Sequence, residues 1–456
     1  MFVKSVHGAA ALAGSFVAPK DLDINDVYAC RIPGAGLLVG IGSVLGSMLD
    51  YQHYTGDTSY KDVITQALIS QVGPNFDYMV PRHQGDEGND DQAFWSFTVL
   101  EAAERNLPQP DDSIPSWLTM GENIWNSMVA RWNTTACGGG LAWQIFESNP
   151  NGMTYKNSVS NGGLFQLSAR LARATGNQTY QDWATKIWDW SESVGFIDKD
   201  FNVLDGADSR DDCQKVNPVS FSYSQGIYLY GAAVLYNHTR GDATWGDRTN
   251  KLLKATDSYF GPFDNATGVM FEHACETVGR CNTDMLSFKA YLSRFMWATT
   301  QMMPSTLSQV QAVLNTSAAA AGKACSGGAN GTLCGERWYV DGFDGSTGLG
   351  QQMSALEVIQ GLLVQEATPP FKAGEIQHVK GMIPDSHESP APTTTTTPPN
   401  STTPNPHQST SPDPLESGSP APSPTETSSA GSWISPPKWR TMMVSFVAGF
   451  VIWRPV

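Results

Sequence analysis

The sequence predicts an all-α fold, an (α/α)6 toroid of alternating inner and outer helices followed by a disordered stalk. Three observations carry that expectation. A signal of the form G-[DN]-x-[ST]-[YW]-x-D recurs as GDTSYKD, GNQTYQD and GDATWGD, at Gly56, Gly176 and Gly241. The segments before and between these signals are rich in small and apolar residues and nearly free of charge, as in GIYLYGAAVLYN, whereas those after them show one apolar stripe. With weaker copies included, the unit recurs roughly every sixty residues, and six inner segments are the number that closes a ring without polar end caps.

Along the chain, residues 1–20 read as a secretory signal, with one Lys beside a short Ala/Gly/Val-rich stretch. Residues 21–366 hold the toroid. Its inner helices are expected at 36–54, 90–104, 158–174, 221–237, 284–302 and 349–365. In each signal the Gly ends an inner helix in the left-handed conformation, and Ser59, Thr179 or Thr244 caps the outer helix that follows. Asp62, Asp182 and Asp247, three residues on, favour the positive end of that helix's dipole. Weaker starts stand at Ser116 and near Ser305. Tyr180, Trp183, Ile187, Trp190 and Val194 form one outer stripe at spacings of three and four. Five outer helices are thus placed. The first is missing from the pattern, since only DLDINDVYACRIPGAG precedes the first inner helix.

From 367 to 430 the composition turns to Pro, Ser and Thr, as in APTTTTTPPNSTTPNPH, which cannot bury enough apolar surface to fold and reads as a stalk. Small residues at 428–431 precede a polar spacer and the run MMVSFVAGFVIW, too short to span a bilayer comfortably as a helix. Residues 431–456 therefore read as a GPI-anchor signal, with Ser428, Ser429 or Ala430 as the attachment site. The expected location is outside the cell, anchored to the outer face of the plasma membrane and cell wall through that lipid alone.

A net charge of -16 would repel phosphate backbones and anionic lipid, so nucleic acid is excluded as a partner and neutral ligands suit the chain better. The seven cysteines form no metal-ligand spacing. Cys275 with Cys281 and Cys325 with Cys334 read as small disulfide-closed loops of an oxidising compartment, and N-x-[ST] sites spread from Asn133 to Asn400 agree with secretion. No Gly-rich phosphate loop, GxSxG or HExxH is present, and neither cofactor nor metal is expected.

The stretch GNDDQAFWSF places Asp90 and Asp91 side by side at the entrance to an inner helix. Helix capping by Asn89 or Asp90 is the structural explanation. The aromatic residues Phe94 and Trp95 just beyond point further, to a partly dry pocket where one carboxyl is pushed up and the helix dipole keeps the other ionised. Glycoside hydrolysis needs that split: one acid to protonate the leaving oxygen and one carboxylate to act at the anomeric carbon. Trp143 in CGGGLAWQIF and Tyr223, with Tyr155, offer flat faces for pyranose rings. Asn157 and Asn161, Gln225, Asp284 and Lys289, and Gln351 with Gln352 supply polar groups at the same end of the other inner helices. Asn89 and Trp95 complete the candidate sugar-binding set. Asp341 and Asp344 in VDGFDGSTG are rival carboxylates, with turn formation as the alternative.

Together YTGDTSYKDVITQALISQVGPNFDYM, GNDDQAFWSF, CGGGLAWQIF, YKNSVSNGG, CNTDMLSFKAYLSRF and GSTGLGQQMSALEV resemble the fungal cell-wall endo-1,6-α-mannosidases of glycoside hydrolase family 76, over roughly residues 47–365. The resemblance implies a retaining mechanism on α-1,6-linked mannose, with Asp90 as nucleophile and Asp91 as general acid/base. It also implies α-1,6-mannan, or the mannose core of a GPI glycan, as the partner, with wall glucan as an acceptor if the enzyme transfers. Ala142 in GGGLAWQ stands where the resemblance leads one to expect Arg. A mannan-binding wall protein whose catalysis is impaired by the shortened N-terminal region is the alternative.

Overall fold

The computed structural model describes residues 38–377, apart from 82–84, 86, 110–112, 149 and 330. The expected signal peptide, the segment in which the first outer helix is missing from the pattern, the anchor signal and the expected stalk beyond residue 377 lie outside the described residues, as does Cys30. Within them the chain forms eleven helices of ten residues or more: α1 (Leu38–Thr55), α2 (Lys61–Ser70), α3 (Asn89–Glu104), α4 (Trp117–Ala130), α5 (Ser158–Thr175), α6 (Gln178–Ser193), α7 (Ser222–His238), α8 (Ala243–Ala255), α9 (Phe288–Met302), α10 (Leu307–Ala324) and α11 (Leu349–Gln360).

The odd-numbered helices are the inner ones. Each packs on the next, α1 on α3, α3 on α5, and so on to α9 on α11, and α11 returns to α1. The ring of six closes as the pattern predicts. Burial follows composition: nearly every side chain of α5 is buried, whereas α6 buries Tyr180, Ala184, Ile187, Trp188, Trp190 and Ser191 on one face. Aromatic edges join neighbouring outer helices, with Trp125 of α4 against Tyr180 of α6 at 4.8 Å and Trp188 of α6 against Trp245 of α8 at 5.6 Å.

The repeated signal works by a different atom from the one expected. Gly56, Gly176 and Gly241 do take positive φ, at 74°, 74° and 97°. The capping oxygen, however, belongs to the second residue of the motif: Asn177 accepts from the Thr179 amide, and Asp242 from those of Thr244 and Trp245. Asp57 also takes the Ser59 amide, but in a turn ahead of α2, which opens at Lys61 without a side-chain cap. The short Asn or Asp side chain reaches amides two or three residues on, so Thr179 and Thr244 already lie in the first turn. Ser116 caps α4 as expected, accepting from the Thr119 amide.

Because an outer helix carries the chain back between each inner helix and the next, all inner N-termini open on one face. There a three-stranded antiparallel sheet, β1 (Tyr155–Asn157), β2 (Leu204–Asp208) and β3 (Val216–Ser220), fills the entrances to α5 and α7. On the opposite face the chain still packs beyond residue 366. The Phe371 amide donates to the Glu104 carbonyl, and the Arg173 guanidinium donates to the carbonyls of Pro370 and Phe371, so the folded unit outlasts the expected boundary.

Candidate active site

Helix α3 opens at Gly88 in extended conformation, and the Gly88 amide donates to Asp91 Oδ2 at 2.7 Å, closing the first turn. Asp91 therefore performs the capping that its sequence position allows. Asp90 does something else. Its Oδ2 accepts the indole N–H of Trp143 at 2.9 Å, while Oδ1 is buried without a partner. A β-carbon at residue 88 would lie 2.3 Å from that Oδ1, so only glycine leaves room for the carboxylate.

Beneath Asp90 lies an aromatic floor. Tyr223, at the start of α7, stacks on Phe288 of α9 at 3.9 Å, and Phe94, one turn into α3, packs on Tyr291 at 4.7 Å and lies parallel to Tyr223. Burial in these surroundings pushes Asp90 up to about 6; the Trp143 N–H and the first-turn amides oppose the rise, and the charge of Asp284 adds to it. Burial also raises Asp284. Tyr223 is raised by burial first and by the nearby charges of Asp205 and Asp90 next.

The loop that brings Trp143 to Asp90 is heavily constrained. Gly140 takes φ 97° and lies so near the Trp190 ring that a β-carbon would come within 2.3 Å of it. The buried Lys156 ammonium donates to the carbonyls of Asn133, Ala136 and Gly139. A disulfide ties Cys137 to Cys213, a pairing the sequence left open, while Cys275–Cys281 and Cys325–Cys334 form as expected.

Among the sequence candidates, Asp90 and its neighbour Asp91 meet Trp143, Tyr223 and Asp284 at this cup. The others hold its walls. Asn89 donates to the Ala142 carbonyl and accepts from Arg131; Asn161 exchanges two hydrogen bonds with the Leu141 backbone; Asn157 caps α5. Gln225 binds backbone groups of Phe201, Val203 and Leu252. Lys289 pairs with Glu276, Gln351 donates to Ser346, and Trp95, fully buried, stacks on Tyr78 at 5.0 Å. An amide at a helix entrance can donate and accept at once, which suits it to pinning loop backbone. Of the rival acids, Asp341 pairs with Lys323 and Asp344 with Arg337.

Sequence reasoning missed Asp205, whose Oδ2 accepts from the Tyr155 hydroxyl at 2.6 Å and the Asn217 amide at 2.9 Å across three strands. It also missed Glu272, which takes the Ser222 amide at 3.1 Å at the start of α7. Neither sits in a motif.

The profile of glycosyl hydrolase family 76 matches residues 37–374, nearly the whole described unit. The chain belongs to glycosyl hydrolase family 76. Within the family it is 45% identical to the mannan endo-1,6-α-mannosidase DCW1 of Candida glabrata over 334 residues, 73% of each chain. The DCW1 protein of Saccharomyces cerevisiae matches equally well, again at 45% over 334 residues and 73% of each chain. Among solved structures, Dfg5 from Chaetomium thermophilum in complex with glucosamine is 40% identical, with a TM-score of 0.72 over 77% of this chain and 86% of that one. An inactive variant of the Salegentibacter α-1,6-mannanase, with two consecutive aspartates replaced by asparagine and α-1,6-mannotriose bound, shares the fold at 17% identity, with a TM-score of 0.60 over 79% of this chain and 99% of that one. The chain is thus a family 76 glycoside hydrolase, similar over most of its length to proteins named mannan endo-1,6-α-mannosidases.

Proposed function

We propose that the cup around Asp90 and Asp91 cleaves α-1,6-linked mannose with retention. The observation that carries this reading is the contrast between two adjacent carboxylates: Asp91 bound to the Gly88 amide, Asp90 held by Trp143 over an aromatic floor. In the first step the Asp90 carboxylate attacks the anomeric carbon as the C1–O6 bond breaks, and Asp91 gives its proton to the departing oxygen. In the second, a hydroxyl bonds to C1 and returns a proton to Asp91 as the Asp90 ester breaks. Whether that hydroxyl belongs to water or to a sugar decides between hydrolysis and transfer. The reading extends to the mannose core of a GPI glycan as donor and wall glucan as acceptor, in a GPI-anchored protein outside the cell. What supports it is the sequence likeness, together with the loss of activity in the bacterial mannanase altered at two consecutive aspartates.

The roles are tested by assaying Asp90→Asn and Asp91→Asn on α-1,6-mannan. Each should lose roughly 10²- to 10⁴-fold in kcat while keeping a cooperative thermal unfolding transition. Either variant turning over mannan at the wild-type rate would remove that residue from the chemistry.

A further inference from the structure

Trp143 is 38% exposed, yet its placement is controlled at every atom that can be bonded. Its amide donates to the Tyr155 carbonyl at 2.7 Å, its carbonyl accepts the Asn89 amide at 2.8 Å, and its indole N–H ends on Asp90 Oδ2. Next to it the Ala142 carbonyl accepts the Asn89 side chain at 2.9 Å. A platform for a sugar ring needs only a flat face. Here the edge of the ring is aimed as well, and at one carboxylate oxygen.

We infer that Trp143 is a positioning residue for Asp90, its indole N–H fixing the carboxylate's orientation and holding it ionised in the resting enzyme. The indole nitrogen is donor-only, and a donor bound to a carboxylate makes a stronger bond than one bound to the neutral acid. The first-turn amides of residues 90 and 91 share the task of favouring the charged form, but among the described residues no other side chain around Asp90 does. Asp91 on the same helix and Asp284 at the entrance to α9 are acids, and Tyr223 on α7 is a neutral phenol whose ionisation Asp90 opposes. Arg131, at the end of α4, is committed to Asn89 and Gln92. The segment 141–144 brings no charge, so its contribution is this N–H. On the far side Gly88 closes over Oδ1, and the carboxylate is gripped between a missing side chain and an aimed donor.

The inference rests on Asp90 acting in the reaction, and Trp143→Phe separates its two possible roles because it keeps the ring and drops the donor. Losing a bond that favours the charged form raises the carboxyl's pKa, so the acid limb of kcat/KM on α-1,6-manno-oligosaccharides should move to higher pH by about one unit. A uniform loss at every pH, with the limb in place, would reduce Trp143 to a platform and overturn the inference. A second readout does not need turnover. In wild type the Trp143 indole N–H resonance, assigned by its absence from Trp143→Phe, should shift with a titration that vanishes in Asp90→Asn. A flat indole resonance in wild type also overturns it. Absence of mannan cleavage by wild type would instead strike the proposed function, leaving the titration to decide the bond.

Discussion

At the scale of single residues, the site depends on acids placed where their charge is unwelcome. Glu87, one residue before Gly88, is 1% exposed and pushed up to about 8, by burial first and by the charge of Asp77 next, with Arg131 opposing. Its folded-state pKa lies above the ordinary 4.5, so the folded state binds the extra proton between those values, and stability falls as pH rises from about 4.5 to 8. Glu87→Gln should therefore raise the melting temperature at pH 8 and leave it nearly unchanged at pH 4; equal shifts at both would show that charge is not the cause. The twin aspartates were legible because two like charges ahead of Phe94 and Trp95 demand a reason. Asp205 was not. In VLDGADS it resembles any loop acid, and only three-strand pairing brings Tyr155 and Asn217 to it.

At the scale of elements, periodicity and composition placed all six inner helices and the five outer ones, because one apolar stripe and an uncharged segment are different solutions to burial. The capping atom was misplaced by two residues, since Asp or Asn and Ser or Thr both serve as caps and the motif holds one of each. The amides at the inner entrances pin loops instead of lining the cup, an outcome fixed by partners distant in sequence. The Trp143 loop is the element on which the site turns. Gly140→Ala meets both a positive φ and the Trp190 ring, and should cost at least about 1–3 kcal/mol, with mannan cleavage falling faster than stability at room temperature. The disulfide Cys137–Cys213 closes a separation of 76 residues. The double variant Cys137→Ser with Cys213→Ser should lose about 2–5 kcal/mol in denaturant unfolding, and a midpoint equal to wild type would show that the glycine and Lys156 contacts suffice.

At the scale of the whole molecule, the two ends of the ring are chemically unlike. The site end is acidic and lacks an ion pair to Asp90 among the described residues, while the far end of the inner helices carries a buried network. Arg294 of α9 donates to Asp50 of α1 at 2.8 Å and lies 3.6 Å from Glu357 of α11, joining three helices where the ring closes. Arg170 binds Glu104 and Glu101, and Arg105 binds Glu101 and Asp50. Removing one partner strands the others in low dielectric, so Arg294→Met should destabilise by about 3–5 kcal/mol in urea unfolding. A loss below about 1 kcal/mol would show that the carboxyls protonate and need no partner. Nothing in the nearly uncharged inner segments warned of this network, because EAAER at 101–105 lies far along the chain from Asp50, Arg170, Arg294 and Glu357, and the cluster forms only when the ring closes.

The central claim is that Asp90 forms the bond to mannose and Asp91 moves the proton. Azide rescue tests it most directly, with Asp90→Ala and Asp91→Ala assayed separately on an activated α-mannoside. The account predicts β-mannosyl azide from Asp90→Ala, by one direct displacement, and α-mannosyl azide from Asp91→Ala, by attack on the ester at Asp90. The α product from Asp90→Ala would contradict it.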